Sequence, residues 1–163
     1  MSKVCAAEPQ EFQPKEIDDF VAFVLAGGEV SANGLRDLVM QSPQIAFVRE
    51  GECLLGVAGL KNPRESYRKK VAGASKTAIP AKDFPFELGW VFILPSAQGR
   101  GLSFPLCQPL VTAAKGSGIF STSRTTKDRM HRTLEKLGFA RTGAEWASKE
   151  NDGDLALFLR NAV

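Results

Sequence analysis

The residues with the clearest chemical potential are Gln98-Gly99-Arg100-Gly101-Leu102-Ser103. They follow an apolar run, Val91-Phe92-Ile93-Leu94, that stops at Pro95, and they precede an apolar segment of helical length. The order is strand, tight glycine turn, helix start. Two glycines let backbone N–H groups converge on one point, and a helix N-terminus adds partial positive charge there. Such a turn suits an oxyanion, most often a phosphate. A second group stands upstream in the same strand. Phe86, Leu88, Trp90, Phe92 and Leu94 alternate onto one face, and Glu87 lies on the other with Gly89, Val91 and Ile93. A lone carboxylate on a mostly apolar strand is suited to general-base work, because burial raises a carboxyl pKa towards neutrality.

The composition limits what these groups serve. The 163 residues are 44% hydrophobic and 24% charged, with a net charge of +3. That is enough chain for one domain with a real core, and too little charge to argue for nucleic acid. Cys5, Cys53 and Cys107 are far apart and lack a Cys-x-x-Cys spacing, so they read as reduced thiols. One histidine, His131, rules out most His-based metal sites, and no metal is expected. No run approaches the roughly 18 apolar residues of a spanning helix, and no basic-then-apolar leader opens the sequence. The expected compartment is the cytoplasm, with no membrane partner.

The elements that must position these groups follow from periodicity. Residues 1–12 are polar and read as a loose N-terminus. Pro14 opens a helix with Ile17, Phe20, Val21, Phe23 and Val24 on its apolar face, ended by Gly27-Gly28. Ser31 reads as the N-cap of a second helix to about Met40. Residues 44–49 and 53–60 form a hairpin around Glu50-Gly51-Glu52. Residues 61–83 then carry Lys61, Arg64, Arg68, Lys69, Lys70, Lys76 and Lys82, together with Tyr67, and read as a basic loop. After the glycine turn, Pro105 and Pro109 predict a helix either kinked or regular only from about Pro109 to Lys115. Residues 119–125 read as a strand. A short helix capped by Asp128 or Thr126 follows, with Met130, Thr133, Leu134 and Leu137 on one face. Two strands, 141–147 and 154–160, close the chain around Asn151-Asp152-Gly153.

Ile93-Leu94-Pro95, then Gln98, Gly101 and Ser103, resemble the strand end and pyrophosphate loop, Gln/Arg-x-x-Gly-x-Gly/Ala, of the GNAT superfamily of acyl-CoA-dependent N-acyltransferases. Ser103 departs mildly, being neither glycine nor alanine. Leu134-Glu135-Lys136-Leu137-Gly138-Phe139 is similar to the ending of a later helix in that family. The resemblance covers roughly residues 44–160. It implies a mixed α/β (α+β) fold: a central, mostly antiparallel sheet, splayed at the cofactor strand and flanked by helices.

By the same resemblance, acetyl-CoA or another acyl-CoA is the co-substrate. Its pantetheine would run along Phe92 and Ile93, and its pyrophosphate would rest on the amides of Gly99 to Ser103. Arg100 would add charge to a phosphate. Lys127 stands where the family often has an asparagine that touches the cofactor. Glu87 matches the family's base carboxylate, and an amide near Ile93 would stabilise the oxyanion. The tyrosine that often protonates the leaving thiolate is replaced by Leu134, with Tyr67 a substitute donor. Cys107 with His131 is a weaker nucleophilic pair. The expected reaction is acyl transfer to a primary amine. In GNAT proteins a short hairpin usually takes the place of residues 61–83, so the basic segment would act as a flap over an anionic acceptor or the cofactor phosphates. An RNA-linked or nucleotide amine, a non-catalytic acyl-CoA-binding module and a homodimer are left open.

Overall fold

The computed structural model describes residues 1–149 and 153–163, so Asn151 and Asp152 of the expected last turn lie outside the described residues. A seven-stranded sheet runs in the order β1 (Ser2–Ala7), β2 (Gln44–Glu50), β3 (Cys53–Lys61), β4 (Phe86–Ile93), β5 (Ile119–Arg124), β7 (Asp154–Arg160), β6 (Ala140–Ala147). Every neighbouring pair is antiparallel except β4 and β5. Among the described residues five α-helices cover it: α1 (Pro14–Ala26), α2 (Leu35–Gln41), α3 (Glu65–Ser75), α4 (Ser103–Ala113) and α5 (Asp128–Lys136).

Strand alternation divides the core into two faces. Ile45, Phe47 and Val57 meet Ile17, Phe20 and Val24 of α1 and Leu35 and Val39 of α2. Ala46, Val48, Ala58 and Leu60 meet Leu106, Cys107 and Leu110 of α4 and Leu134 of α5. The third helix joins the first face, where Val71 packs with Phe120 and Leu157. Among the described residues no helix is long and apolar enough to cross a membrane.

Four expectations need correction. Residues 1–12 are not loose: β1 pairs with β2 from Ser2↔Glu50 to Ala7↔Ile45, and Val4 and Ala6 pack on the α4 face. The pattern was too short and polar to read because this edge strand buries only those small side chains. Residues 61–83 are not a continuous loop, since α3 fills Glu65–Ser75. Its buried positions are Arg68, Val71 and Ser75, a helical spacing hidden by using an arginine. Arg68 is not part of a flap: its Nη1 donates to the carbonyls of Ile79 (3.2 Å) and Phe84 (2.6 Å), pinning the segment that leads into β4. Of the two alternatives for the helix after the glycine turn, the late start near Pro109 is overturned, since α4 begins at Ser103 and carries Pro109 inside it. Pro105 falls in the first turn, where an N–H has no intrahelical partner, so only Pro109 removes a ladder bond.

The fourth correction is in β4. Its alternation does not continue past Gly89, because the register with β3 shifts by one residue between Gly59↔Gly89 and Val57↔Phe92. Trp90 takes φ 56°, and an extra residue is inserted. Leu88 therefore packs on the α4 face with Val91, Ile93 and Leu94, while Trp90 and Phe92 pack on the α1 face. Smaller shifts concern caps. Gly34 (φ 67°), not Ser31, precedes α2, and Lys127, not Asp128 or Thr126, stands at the N-cap of α5.

Candidate active site

After β4 the chain makes one 3-10 turn at Pro95–Ala97 and reaches Gly99 (φ 82°) and Gly101 (φ 72°) before α4 begins. Both conformations lie in the left-handed region that glycine adopts without strain. Among the described residues, none of the N–H groups of Gly99, Arg100, Gly101, Leu102 or Ser103 donates to a protein acceptor. The loop is braced by its side chains instead. Gln98 Nε2 donates to the Ile93 carbonyl at 3.1 Å, Leu102 is buried, and Ser103 Oγ meets Thr133 Oγ1 of α5 at 2.7 Å. The serine at this small-residue position thus ties α4 to α5.

The cation expected beside this loop is a different one. Arg100 turns away, its Nη2 2.6 Å from Glu50 Oε2, and its side chain does not line the cleft. The pair lowers the Glu50 pKa through the hydrogen bond and charge of Arg100. Arg129 takes the place near the loop: both its terminal nitrogens lie 3.5 Å from where a Cβ on Gly99 would stand. Lys127 and Arg132 line the same cleft. Sequence reading missed Arg129 because α5 approaches the loop only in the folded chain.

Beside the loop the sheet opens. β4 pairs with β5 only at Phe86↔Ile119 and Glu87↔Phe120. Beyond that the Ser121 hydroxyl donates to the Leu88 carbonyl at 2.8 Å, and then the strands part. Phe92 and Ile93 pair with Val57 and Gly56 of β3 on one side, leaving the other edge to the gap. The Phe92 ring turns to Phe23 of α1, with centroids 5.8 Å apart. A cleft of about 1440 Å³ runs from Gly99, Gly101 and Ser103 through this gap to Glu87, bounded by α3 and the α1–α2 connection. Among the described residues it is lined by far more cations than acids. Of its acids, Glu29 is held by Arg124 Nε at 2.5 Å and Glu87 by Lys61.

Glu87 is 2% exposed. Its carboxylate is not alone, as the sequence suggested, because Lys61 Nζ stands 3.1 Å from Oε1 and the Tyr67 hydroxyl donates to Oε2 at 3.0 Å. Oε1 itself is buried and makes no aligned hydrogen bond among the described residues, its close neighbour being the Lys61 ammonium. Burial, and then the charge of Glu87, push the Tyr67 phenol well above its ordinary pKa. Lys61 counted in the sequence only as one of the basic residues of 61–83. Its cross-strand pairing with Glu87 becomes legible only once β3 and β4 are known to be partners.

The other candidates separate from the site. Leu134 is wholly buried in the core. Cys107 is also wholly buried, which pushes its thiol up to about 12, and so it is no nucleophile. His131 is structural, with Nε2 2.8 Å from the Arg124 carbonyl and its ring packed on Phe158 at 4.9 Å. No group of three metal-ligating side chains occurs among the described residues.

No protein-family model matches the sequence, and no curated protein matches it either. Solved structures do. An acyl-CoA N-acyltransferase from Pseudomonas aeruginosa superposes with a TM-score of 0.69 at 13% identity, covering 98% of this chain and 99% of that one. An acetyltransferase of the GNAT family from Streptococcus agalactiae gives 0.66 at 16% identity, covering 99% and 96%. Salmonella typhimurium yncA, solved with its cofactor acetyl-CoA, gives 0.63 at 16% identity, covering 98% and 93%. The seven-stranded open sheet of this chain is thus the fold of solved acyl-CoA N-acyltransferase and GNAT-family acetyltransferase structures.

Proposed function

We propose that this protein moves an acetyl or short acyl group from acyl-CoA to a primary amine by direct attack. The observation that carries the reading is the set of unbonded amides at Gly99–Ser103, opening on a cleft that ends at the buried carboxylate of Glu87. Those amides, with Arg129 and Lys127 beside them, receive the pyrophosphate. The guanidinium of Arg100 is left out of this role, because it is engaged by Glu50. The open edge of β4 near Phe92 and Ile93 offers backbone hydrogen bonds to the pantetheine amides, and an amide there faces the oxyanion.

Glu87 takes the acceptor's ammonium proton, directly or through water, so that nitrogen can attack the thioester. Tyr67 holds Oε2 and stays protonated, which fixes the carboxylate and keeps a phenolic proton in the site. With Leu134 in the core, the thiolate departs without a tyrosine from α5, helped by its modest basicity. The acceptor is an amine that also carries negative charge. Arg64, just before α3, and Lys70 of α3 line the cleft with no carboxylate partner among the described residues. The reading places the protein in the reducing cytoplasm, where the exposed thiols of Cys5 and Cys53 persist.

The test has two arms. Calorimetric titration of acetyl-CoA into wild type and Glu87→Gln is expected to give equal affinity. Thiol release against a panel of amines is expected to fall about 100-fold or more in the variant, the usual worth of a general base. Equal turnover in the two proteins overturns Glu87 as the base. Failure of acetyl-CoA to bind overturns the whole reading.

A further inference from the structure

Lys61 ends β3 directly opposite Glu87 in the antiparallel register, yet its side chain is only 19% exposed. The stem lies flat on Gly89: its Cδ is 2.9 Å, and its Nζ 3.5 Å, from where a Cβ on that glycine would stand. Nζ sits 4.8 Å from the centroid of the Trp90 ring and 5.6 Å from that of Tyr67. Glu87 Oε1 is 3.1 Å away. Gly89 and Trp90 are the first residues of β4 past Leu88, where the gap from β5 opens. The chain therefore holds a primary alkyl amine of its own at the mouth of the gap, next to a buried proton acceptor. Lys15 shows the contrast: it is exposed, and its partner, Asp19, is itself on the surface.

We infer that Lys61 is itself a site of acyl transfer, an inference that rests on the acyl-CoA reading above. Glu87 takes one proton from Nζ, and the freed nitrogen attacks the thioester carbonyl carbon. A C–N bond forms and the C–S bond breaks. The departing thiolate takes a second proton from nitrogen, the third stays on the new amide, and Glu87 returns its proton to water. The products are N-acyl-Lys61, CoA thiol and one proton, with no change of oxidation state. The amide that results has no charge to set against Glu87 or to lie over Trp90, and it fills the cleft beside the carboxylate. Modification at Lys61 thereby slows transfer to any external amine.

The experiment incubates the full chain with acetyl-CoA and no added acceptor, followed by intact-mass measurement and peptide mapping, with calorimetry of acetyl-CoA binding alongside. The expected result is one acetyl group, located on Lys61, accumulating ahead of Lys15 and the other exposed lysines. In Glu87→Gln its rate falls about 100-fold, the general-base share, while acetyl-CoA still binds. Lys61→Arg is expected to gain no acetyl group at that position and to keep its acetyl-CoA affinity. If acetyl-CoA binds and external amines are acylated while Lys61 stays unmodified, the inference falls and the acyl-transfer reading stands. The inference also falls if Lys61 is labelled at the same rate with Gln at position 87. If acetyl-CoA does not bind, both fall, and the calorimetric arm reports that separately.

Discussion

Trp90 turns its indole onto Gly59, where a Cβ would lie 2.5 Å from Cε3. The pair sits at the one-residue shift between β3 and β4, and Trp90 holds φ 56° there. The insertion moves Trp90 and Phe92 to the α1 face and leaves Glu87, before it, facing the cleft. Gly59 is the residue that lets the indole close over the bulge.

Gly59→Ala should therefore disturb the site as well as the core. A methyl group forced against a well-packed ring costs about 1–3 kcal/mol. Urea unfolding followed by tryptophan fluorescence reads that loss. Acetyl-CoA affinity should fall in the same variant, since the open edge of β4 begins at this bulge. An unchanged midpoint with unchanged affinity would show that the bulge does not depend on the glycine.

Tyr67 is the only tyrosine of the chain, so its titration can be followed by absorbance without interference. Burial and the neighbouring Glu87 raise its pKa well above 10 in the folded protein. The unfolded phenol loses its proton near the ordinary value of about 10, so the native state holds that proton longer. Its contribution to stability is present in full below about pH 10 and is lost as pH rises from there towards the folded value. Native protein at that pH should show little phenolate absorbance, and unfolding by denaturant should reveal it at once. Tyr67→Phe should flatten the alkaline decline in stability. It should also lower acyl transfer, because Glu87 Oε2 loses its donor.

Thiol chemistry separates the three cysteines. Cys5 and Cys53 are exposed, whereas Cys107 is buried with its thiol pushed up to about 12. The thiolate is the reactive form, so a thiol-specific reagent should label the two exposed residues in native protein and reach Cys107 only after unfolding. Cys107→Ala should keep acyl transfer, which peptide mapping and a turnover assay together would check. A Cys107 label on native protein would contradict its burial.

What the sequence could and could not reveal follows from range. Pro95, the glycines and the apolar segment after them are local signals, and the loop was legible from them. So were α1, with Pro14 at its start, and the β2–β3 hairpin around Gly51. The third helix was not, because its buried set substitutes Arg68 for an apolar residue, and the arginine's partners are carbonyls of the following segment. The strand face past Gly89 was misread because periodicity assumes an unbroken pleat, and only the partner strand reveals the inserted residue. Lys61 and Arg129 were invisible as site residues for one reason. Each reaches its place through an element adjacent only in space, β3 to β4 for one and α5 to the glycine loop for the other.

The choice between two arginines tests the loop directly. Arg129 places both terminal nitrogens 3.5 Å from the Cβ position of Gly99, while Arg100 is bound to Glu50 outside the cleft. If the amides of Gly99–Ser103 receive a pyrophosphate, Arg129→Gln removes a charge-assisted contact and should weaken acetyl-CoA binding about tenfold. Arg100→Gln removes only an exposed ion pair and should change the affinity by no more than about twofold. The loss in Arg129→Gln should shrink as salt rises, since an ionic contact is screened. A dephosphorylated fragment, pantetheine alone, should bind both variants as it binds wild type, because it has no phosphate for either arginine to meet. The reverse ranking, with Arg100→Gln the weaker binder, would mean that the Glu50 pair opens on binding and that Arg100 turns to the phosphate.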